Sequence, residues 1–298
     1  RAQIEKQIPQ AEFFELSDGS LQSAKDIAAS LTKYSSVVGV GGGRVLDAAK
    51  YAASQANLPM IAVATNLAHD GIASPVSILE HDGTRSSHGV SVPAAVLIDL
   101  DVVRSGPVRF LRAGIGDVLS NLNAVADWEL AREVNGEEVD GLAASMSRTA
   151  ATSLLNHPGT IEDPGFLTTL AEGLVLSGLA MAVAGTSRPC SGACHEISHA
   201  IDMVLPEKSA PHGEQVAVGA LFATYLRGAN AEFNQLHDAL FRHGLPTSPK
   251  DLGLSTEQFA QAVAFAPQTR PDRFTILEHK NLDEAELMRV VSDFVAAL

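Results

Sequence analysis

Cysteine and basic residues are scarce in this chain, and both shortages narrow its possible functions. Its 298 residues include two cysteines, and 21 lysines and arginines stand against 35 aspartates and glutamates, a net charge of −14 at pH 7. The two cysteines, Cys190 and Cys194, do not make a disulfide framework, so a reducing cytoplasm is predicted. A nucleic-acid interface needs a basic patch, and this charge balance therefore predicts no nucleic-acid partner.

Long apolar runs are also missing. Polar residues interrupt the apolar stretches well short of the roughly 20 residues needed to cross a bilayer, so no membrane partner is expected. The first ten residues, RAQIEKQIPQ, have no apolar core or cleavage-like site, which argues against a secretory signal. Hydrophobic residues nevertheless make up 46% of the chain. That fraction supports a sizeable core, and the length suits two domains of roughly 100–200 residues each.

The first third of the chain alternates short apolar runs with helical patterns. Such alternation predicts an α/β fold with a parallel, doubly wound, Rossmann-like sheet. The predicted strands are Ala11–Leu16, Ser36–Val40, Met60–Ala64 and Ala94–Leu100, the helices are Leu21–Leu31 and Val45–Ser54, and Asp82-Gly83 is the turn of a hairpin between Pro75–Leu79 and Gly89–Val92. The glycine-rich segment begins at residue 39, which leaves too little chain before it for the usual sheet, so the domain is expected to be incomplete at its N-terminus.

Helical spacing takes over after about residue 105. The predicted helices are Leu119–Arg132, Gly141–Leu155, Leu167–Ala184, Cys194–Val204, Gln215–Arg227, Glu232–Phe241, Thr256–Ala264 and Asp283–Ala297. The predicted domains are therefore an α/β nucleotide-binding domain at 1–105 and an all-helical domain for metal and substrate at 106–298.

A glycine-rich segment, GVGGGRVLDAAK at 39–50, joins a predicted buried strand to a predicted helix. Because Gly42 and Gly43 lack Cβ atoms, backbone N–H groups there could approach a phosphate, and the helix N-terminus adds partial positive charge. The segment is neither G-x-G-x-x-G nor a Walker loop, and a plain tight turn is the alternative. Asp47 and Lys50, three residues apart on the helix, are either an ordinary surface pair or part of the same site.

Three histidines fall in the segment 187–215, which contains SRPCSGACHEISH and ends in HGEQ. His195 and His199 share one face of a predicted helix, and His212 opens the next helix after a proline-containing loop. Neutral imidazoles suit zinc, nickel or ferrous iron, and three protein ligands with an open position make a catalytic site. A carboxylate is the expected further ligand. Asp117 is the candidate, with a helix N-cap as its alternative role.

A second metal site can be built from the same segment. Cys190, Cys194, His195 and His199 are four ligand-type residues within ten positions, and four protein ligands close the shell of a structural zinc. Residues 194 and 195 point about 100° apart on a helix, so they cannot both face one ion unless the helix unwinds. The open site is favoured over this one and over a chain with no metal, and the two cysteines are expected to be buried small apolar residues.

Taken together, these segments resemble the iron-containing alcohol dehydrogenase and dehydroquinate synthase-like superfamily, and within it the sn-glycerol-1-phosphate dehydrogenase family. The matching pieces are GVGGGRVLDAAK at 39–50, TNLAHDGIASP at 65–75, GIGD at 114–117 with Asp127-Trp128, the 187–199 segment, HGEQ at 212–215 and RFTIL at 273–277. The resemblance implies a Rossmann-like nucleotide domain, a helical domain, a site in the cleft between them, and a homodimer.

The resemblance also implies roles for individual residues in the metal and substrate sites. The metal ligands would be Asp117, His195 and His212, while His199 would line the substrate pocket. Asp70 would hold a substrate hydroxyl, although Asp-Gly is also a turn dipeptide. Residues implied along the NAD or NADP cofactor are Gly42, Gly43, Asp47, Thr65 and Ser74. Arg188 is the candidate for a substrate phosphate contact, on charge and position.

The implied reaction is reduction of dihydroxyacetone phosphate to sn-glycerol 1-phosphate, with a divalent ion, zinc ahead of nickel or iron, polarising the ketone. A glycerol or polyol dehydrogenase and a dehydroquinate synthase-like cyclase share the architecture, although a cyclase would be expected to carry more basic residues near the metal. A metal-stabilised binding protein is the non-enzyme alternative. Cys190 and Cys194 depart from the family pattern, in which an acidic residue more often precedes the first metal histidine, and they leave the exact substrate open.

Overall fold

The structure, a computed structural model, describes residues 2–81 and 83–298. Its strands are β1 (Val37–Gly41), β2 (Met60–Ala64), β3 (Val76–His81), β4 (Thr84–Gly89) and β5 (Ala95–Ile98). Its helices are α1 (Ala2–Gln7), α2 (Leu21–Ser30), α3 (Gly43–Gln55), α4 (Leu100–Ser105), α5 (Val108–Asn135), α6 (Gly141–Leu155), α7 (Pro164–Ala184), α8 (Ala193–Val204), α9 (His212–Arg227), α10 (Asn230–Arg242), α11 (Thr256–Phe265), α12 (Ile276–Lys280) and α13 (Glu284–Ala297).

Strands β1, β2 and β5 form a parallel sheet in the order β1-β2-β5. Val37 pairs with Met60, and Ile61 with Ala95, so the carboxyl ends of all three strands lie at one edge. Continuous apolar runs such as VVGVG and MIAVA are typical of parallel strands. The predicted strands at 36–40 and 60–64 and the parallel α/β class are confirmed. The strand predicted at 94–100 is also present, but it ends at Ile98, and Leu100 already begins α4.

One face of this sheet is covered by α3, and the other is open. Val38, Val40 and Leu97 point away from α3 and are 53%, 45% and 57% exposed. A doubly wound sheet would carry helices on both faces. In the described residues only one face does, and the sheet is Rossmann-like with three parallel strands.

The predicted hairpin is present, but its second strand is shifted. Strand β3 pairs antiparallel with β4, from His81 opposite Thr84 to Val76 opposite Gly89. The predicted second strand began at Gly89, where β4 ends, because the polar run between Thr84 and Gly89 gave no strand signal. Gly83 has a φ of 75°, as a tight turn requires, while Asp82 lies outside the described residues.

The segment Ala11–Leu16 is irregular chain, and its prediction as a strand was wrong. A strand needs a neighbour to receive its backbone hydrogen bonds. Here Glu12 instead pairs with Lys33 at 2.7 Å and accepts a hydrogen bond from Tyr34, so side chains tether the segment to the turn that follows α2.

The predicted helices after residue 105 are all present, and most begin and end within three residues of the predicted positions. The exception is α5, whose prediction began at Leu119 although the helix starts at Val108. The domain boundary near residue 105 stays a prediction. One helix, Pro164–Ala184, is long and apolar enough to span a membrane by length and composition, which corrects the expectation that no such stretch exists, but 56% of its apolar window is buried inside the fold.

Candidate active site

One carboxylate and two imidazoles converge where helices α5, α8 and α9 meet. Asp117 comes from α5, His195 from the first turn of α8, and His212 is the first residue of α9. The Nε2 atom of each histidine lies 3.8 Å from Asp117 Oδ1, and one candidate ligand atom from each residue falls within 4.8 Å of the others. One carboxylate oxygen and two imidazole nitrogens suit zinc, nickel or ferrous iron, so the donor set fits the predicted divalent metal.

Asp117 lies inside α5, so the alternative prediction of a helix N-cap was wrong. The two glycines before it looked like a helix boundary, but they allow close backbone contacts instead, Gly114 with the loop after β2 and Gly116 with α9. A Cβ on Gly114 would lie 1.8 Å from the carbonyl oxygen of Leu67, and one on Gly116 would lie 2.1 Å from that of Gly213. Since Gly213 follows His212, this close approach of α5 to α9 brings two of the candidate ligands together.

A chain of hydrogen bonds sets the tautomer of His212. Gln215 Nε2 donates to Asp202 Oδ1 at 3.1 Å, which turns Gln215 Oε1 toward Ser198, and the Ser198 hydroxyl donates to it at 2.7 Å. The Ser198 oxygen is then the acceptor for His212 Nδ1, 3.0 Å away. With the proton on Nδ1, the Nε2 atom facing Asp117 keeps its lone pair, as a metal ligand requires.

Cys194 sets the tautomer of His195. The buried thiol donates to the carbonyl oxygen of Ser120 at 3.9 Å, and its sulfur lies 3.3 Å from His195 Nδ1. Burial raises the pKa of Cys194 to about 12, so the thiol keeps its proton and the sulfur accepts from Nδ1–H. His195 therefore also presents an unprotonated Nε2 to the site.

The electrostatics of the cluster disfavour charge on its own residues. Burial raises the pKa of Asp117 well above its ordinary value, and the negative charge of Asp70 adds to this, while the Asp70 N–H opposes it. Burial lowers the pKa of His195 well below its ordinary value, helped by the nearby His212 and His199. A divalent cation would stabilise the ionised carboxylate of Asp117 and would bind the lone pairs of the neutral imidazoles. The electrostatics therefore agree with the donor set.

His199 and the two cysteines stand outside this group. The ring of His199 stacks against His212 with centroids 6.0 Å apart, and its predicted place in the substrate pocket stays a prediction. Cys190 is buried beside Ser147 and donates to the carbonyl oxygen of Ser177 at 3.3 Å. Among the described residues, the candidate metal group contains no cysteine and not His199, so the four-ligand alternative is not assembled.

The glycine-rich segment lies at the carboxyl edge of the sheet. Strand β1 runs to Gly41, and Gly42, which has no side chain to cap the helix, is the N-cap of α3. A Cβ on Gly42 would lie 2.4 Å from Asn66 Nδ2, and one on Gly43 would lie 2.3 Å from His69 Nε2. A helix N-terminus that begins with two residues without Cβ atoms fits a phosphate-bearing cofactor.

Asp47 and Lys50 form a buried pair, not the ordinary surface pair that was one of the predictions. Lys50 Nζ lies 3.0 Å from Asp47 Oδ1, and their side chains are 0% and 7% exposed. The same ammonium donates to the carbonyl oxygens of Gly71, at 2.7 Å, and Val76, and lies 3.4 Å from the Ser74 hydroxyl. Lys50 therefore ties α3 to the 71–76 loop, and direct cofactor contacts by Asp47 and Ser74 stay predictions.

The segment between β2 and β3 reaches both the glycine loop and the metal cluster. Thr65 donates its N–H to Gly41 at 3.0 Å, beside the glycine loop. Five residues on, the N–H of Asp70 donates to Asp117 Oδ2 at 2.8 Å, which leaves Oδ1 for the two histidines. Burial raises the pKa of Asp70 to about 7, opposed by Lys50.

Arg188 has a protein partner. Its Nε and Nη2 atoms bond to the two carboxylate oxygens of Glu137 at 2.6 and 2.5 Å, and Nη2 also donates to the carbonyl oxygen of Phe274 at 3.0 Å. Only 4% of the residue is exposed. Its predicted contact with a substrate phosphate remains untested, and the structure gives its guanidinium another role.

Two groups of site residues were missed at the level of sequence. Ser198 and Gln215 orient His212, and Ser198 had a signal, since it lies three residues after His195 on the same helix. Asp127, quoted as a motif residue without a role, accepts the Ala193 N–H at 2.7 Å and the Ile276 N–H at 2.8 Å. It therefore holds the start of α8, from which His195 projects, against the start of α12.

Comparison with solved structures establishes the fold. The structure matches glycerol dehydrogenase from Schizosaccharomyces pombe with a TM-score of 0.76 at 24% identity, covering 94% of this chain and 74% of that one. It matches a probable glycerol dehydrogenase from Sinorhizobium meliloti 1021 with a TM-score of 0.75 at 22% identity, covering 94% and 82%. The predicted class, a Rossmann-like α/β part followed by a helical part, is confirmed.

Comparison of sequences identifies the family. Residues 2–107 match the family described as iron-containing alcohol dehydrogenase. Glycerol-1-phosphate dehydrogenase (NAD(P)+) of Archaeoglobus fulgidus is 40% identical over 263 residues, 87% of this chain and 75% of the relative, and that of Thermofilum pendens is 41% identical over 284 residues, 94% and 81%. The chain belongs to the glycerol-1-phosphate dehydrogenase family of iron-containing alcohol dehydrogenases. The predicted resemblance and the prediction of an alcohol-dehydrogenase-type enzyme are confirmed.

Proposed function

We propose that this chain catalyses the reversible, metal-dependent reduction of dihydroxyacetone phosphate to sn-glycerol 1-phosphate with NADH or NADPH. The names of the relatives support the substrate and the cofactor. One structural observation carries the proposal: the 65–70 segment lies against the glycine loop through Asn66 and His69 and bonds to Asp117 through Asp70. A cofactor on the loop and a substrate at the carboxylate would therefore meet along one short stretch of chain.

Asp117, His195 and His212 would hold the metal, with zinc proposed ahead of nickel or iron. When bound, such an ion supplies Lewis-acid polarisation of the substrate carbonyl. The chain contributes by presenting Asp117 Oδ1 and two unprotonated Nε2 atoms to one point. Ser198 and Cys194 keep the two tautomers in place, so the histidines need no reorientation before they bind.

Gly42 and Gly43 would receive the cofactor pyrophosphate at the N-terminus of α3, with Thr65 beside it. When bound, the nicotinamide supplies the hydride, and the protein supplies orientation. Asp47 and Ser74 are proposed to act through Lys50, which fixes the 71–76 loop against α3. This arrangement keeps α3 and the 65–76 segment in one position relative to each other.

Asp70 and His199 are proposed to contact the substrate. Asp70 would hold the hydroxyl group next to the carbonyl, since its backbone is fixed on Asp117. His199 lines the pocket beside His212. Reduction adds one proton to the substrate oxygen, and that proton arrives through His199 or through water. A pH profile of kcat for His199→Gln separates the two routes, because a route through water leaves the profile unchanged.

The test is oxidation of NADH and of NADPH by the intact protein with dihydroxyacetone phosphate, before and after chelation and after metal add-back. We expect turnover that is lost on chelation and restored by zinc, nickel or iron, and the comparison identifies the ion and the cofactor. His212→Ala should abolish turnover with the fold retained, whereas His237→Ala, on α10, should keep it. Full turnover by His212→Ala would contradict the metal assignment.

Other outcomes would identify a different function. Turnover of glycerol or dihydroxyacetone in place of the phosphate ester would indicate a polyol dehydrogenase, and phosphate release from a sugar phosphate would indicate a cyclase. Absence of NAD(P)H binding would indicate a metal-stabilised binding protein. A homodimer and a cytoplasmic location belong to the same proposal, and light scattering of the purified protein tests the first.

A further inference from the structure

Three arginines surround the segment that leads into α8, and two of them are held by protein groups. Arg188 binds both carboxylate oxygens of Glu137. Arg273, from the RFTIL motif, donates to the Ser187 hydroxyl at 2.9 Å and to the carbonyl oxygen of Ser191. Their donors therefore stabilise the approach to the metal site.

The third, Arg270, has no such partner. It directly follows the 3₁₀ turn Ala266–Thr269, which packs against α8, the helix that carries His195 and His199. In the part of the chain that the structure describes, no group accepts a hydrogen bond from its guanidinium, and the residue is only partly buried.

Arg270 lies beside Arg273, whose guanidinium donates to Ser191, four residues before His195. The Arg270 carbonyl oxygen accepts the Arg273 N–H at 2.9 Å, and after burial the charge of Arg270 is the largest cause that lowers the pKa of Arg273 to about 10, while Glu196 and Glu137 raise it. Two positive charges close together repel each other, and an anion bound between or beside them offsets that repulsion. Arg270 thus adds a positive charge beside the segment that leads to His195, in a chain whose net charge is −14.

We propose that Arg270 binds the phosphate group of the substrate and so makes the enzyme select a phosphorylated ketone over its unphosphorylated counterpart. The inference rests on the proposed function, because it assigns one end of the proposed substrate. A guanidinium presents a planar fork of donors that matches phosphate oxygens. Of the three arginines, Arg270 is the one whose whole guanidinium makes no hydrogen bond in the described residues, whereas Arg188 has only its buried Nη1 atom without a partner. Selection at this position explains how a glycerol-dehydrogenase-like fold would act on a phosphate ester.

The test compares Arg270→Gln and Arg270→Lys with the wild-type enzyme, metal-loaded and saturated with NADPH. Arg270→Gln should raise the KM for dihydroxyacetone phosphate about 10- to 100-fold, the usual effect of losing charge-assisted hydrogen bonds. The KM for dihydroxyacetone should change less than about twofold, since that substrate has no phosphate. Arg270→Lys keeps the charge but not the planar fork of donors. Its KM for dihydroxyacetone phosphate should lie between those of the wild type and Arg270→Gln. Arg289→Gln, an exposed arginine on α13, is the matched control and should leave both values unchanged.

Binding of inorganic phosphate, measured by calorimetry, gives a readout apart from turnover. Arg270→Gln should weaken it at least about tenfold. Unchanged phosphate affinity and unchanged KM in Arg270→Gln would overturn the inference while wild-type turnover left the proposed function standing. If the wild type did not reduce dihydroxyacetone phosphate yet bound phosphate through Arg270, the proposed function would fail and the anion site would stand. If Arg270→Gln unfolds, Arg270→Lys decides, and wild-type affinity in that variant overturns the inference.

Discussion

Gly116 of α5 faces the carbonyl oxygen of Gly213 of α9 across a gap in which a Cβ would have only 2.1 Å. Seen from the other helix, a Cβ on Gly213 would lie 1.7 Å from the carbonyl oxygen of Ala113. Asp117 and His212 are the immediate neighbours of these glycines. Backbone contact between the two helices therefore sets the distance between an acidic and an imidazole ligand.

Gly213→Ala should separate α5 from α9 and weaken metal binding. Overpacking of this kind costs about 1–3 kcal/mol in the free energy of unfolding, which urea denaturation measures. Metal content after dialysis should fall in parallel, because Asp117 and His212 move apart. Gly141→Ala is the control, since a Cβ there meets nothing within 4 Å, and its stability should be unchanged or higher. Wild-type metal content in Gly213→Ala would contradict this account.

Ser198→Ala should lower metal affinity without unfolding the protein. Without the hydroxyl, the acceptor for the proton on His212 Nδ1 is lost, and loss of such a partner costs about 10- to 100-fold in metal affinity. Competition with a chelator of known affinity measures the change. Ser292→Ala, which removes an exposed hydroxyl bonded to Met288 on α13, serves as control. Equal affinities in wild type and Ser198→Ala would show that the hydrogen-bond chain does not set the tautomer.

Lys50→Met should be strongly destabilising, because it leaves Asp47 buried without its cation. Breaking a buried ion pair costs about 3–5 kcal/mol in the free energy of unfolding. Arg148→Met breaks the partly exposed pair with Glu129 and should cost less than about 1 kcal/mol. Asp47→Asn distinguishes a direct cofactor contact of Asp47 from its pairing with Lys50. We expect the free energy of unfolding to fall, because the pair is lost. A loss of NADPH affinity with an unchanged free energy of unfolding would indicate direct cofactor contact.

The buried ring of His243 should make the protein less stable in mild acid. It stacks on Phe166 with centroids 4.6 Å apart, and neither ring nitrogen has a hydrogen-bond partner in the described chain. Burial lowers the pKa of His243 from 6.5 to about 4. Between these pH values the unfolded chain binds more protons than the folded protein, so the free energy of unfolding falls as the pH falls.

The slope expected from this one group is at most about 1.4 kcal/mol per pH unit. His243→Phe should keep the stacking and remove this share of the pH dependence between pH 6.5 and 4, measured by urea denaturation at several pH values. His279→Gln, at an exposed position on α12, should retain the wild-type dependence. The same slope in wild type and His243→Phe would assign the acid sensitivity to other groups.

Residue types and spacing located the candidate metal site but could not choose its members. His195 and His199 share a helix face, so spacing alone makes both possible ligands. Which one joins Asp117 depends on where α9 begins and how closely it crosses α5, and that crossing is a tertiary contact. Asp117 was identified from the GIGD motif and its family resemblance, whereas its position inside a helix was not foreseen.

The fold was most predictable where the pattern of apolar residues was regular. Met60–Ala64 and Gly141–Leu155 were found at the bounds that the structure has, because a buried strand and an amphipathic helix leave clear patterns. The start of α5 was missed since Gly114 and Gly116 look like helix breakers when their contacts are unknown. At Ala11–Leu16 the apolar pattern was present, but whether a neighbouring strand existed to pair with it was not visible in the segment.

The carboxylate of Asp127 connects parts of the chain that are far apart in sequence. Its partners at Ala193 and Ile276 lie 66 and 149 positions away, and Arg227, 100 positions away, also donates to it. Contacts that close such long loops form late in folding, because the entropy of closing them is lost before they stabilise anything. The nascent chain would therefore present its histidines one by one while it is made, and a metal would find a complete binding place only after the last helices had docked.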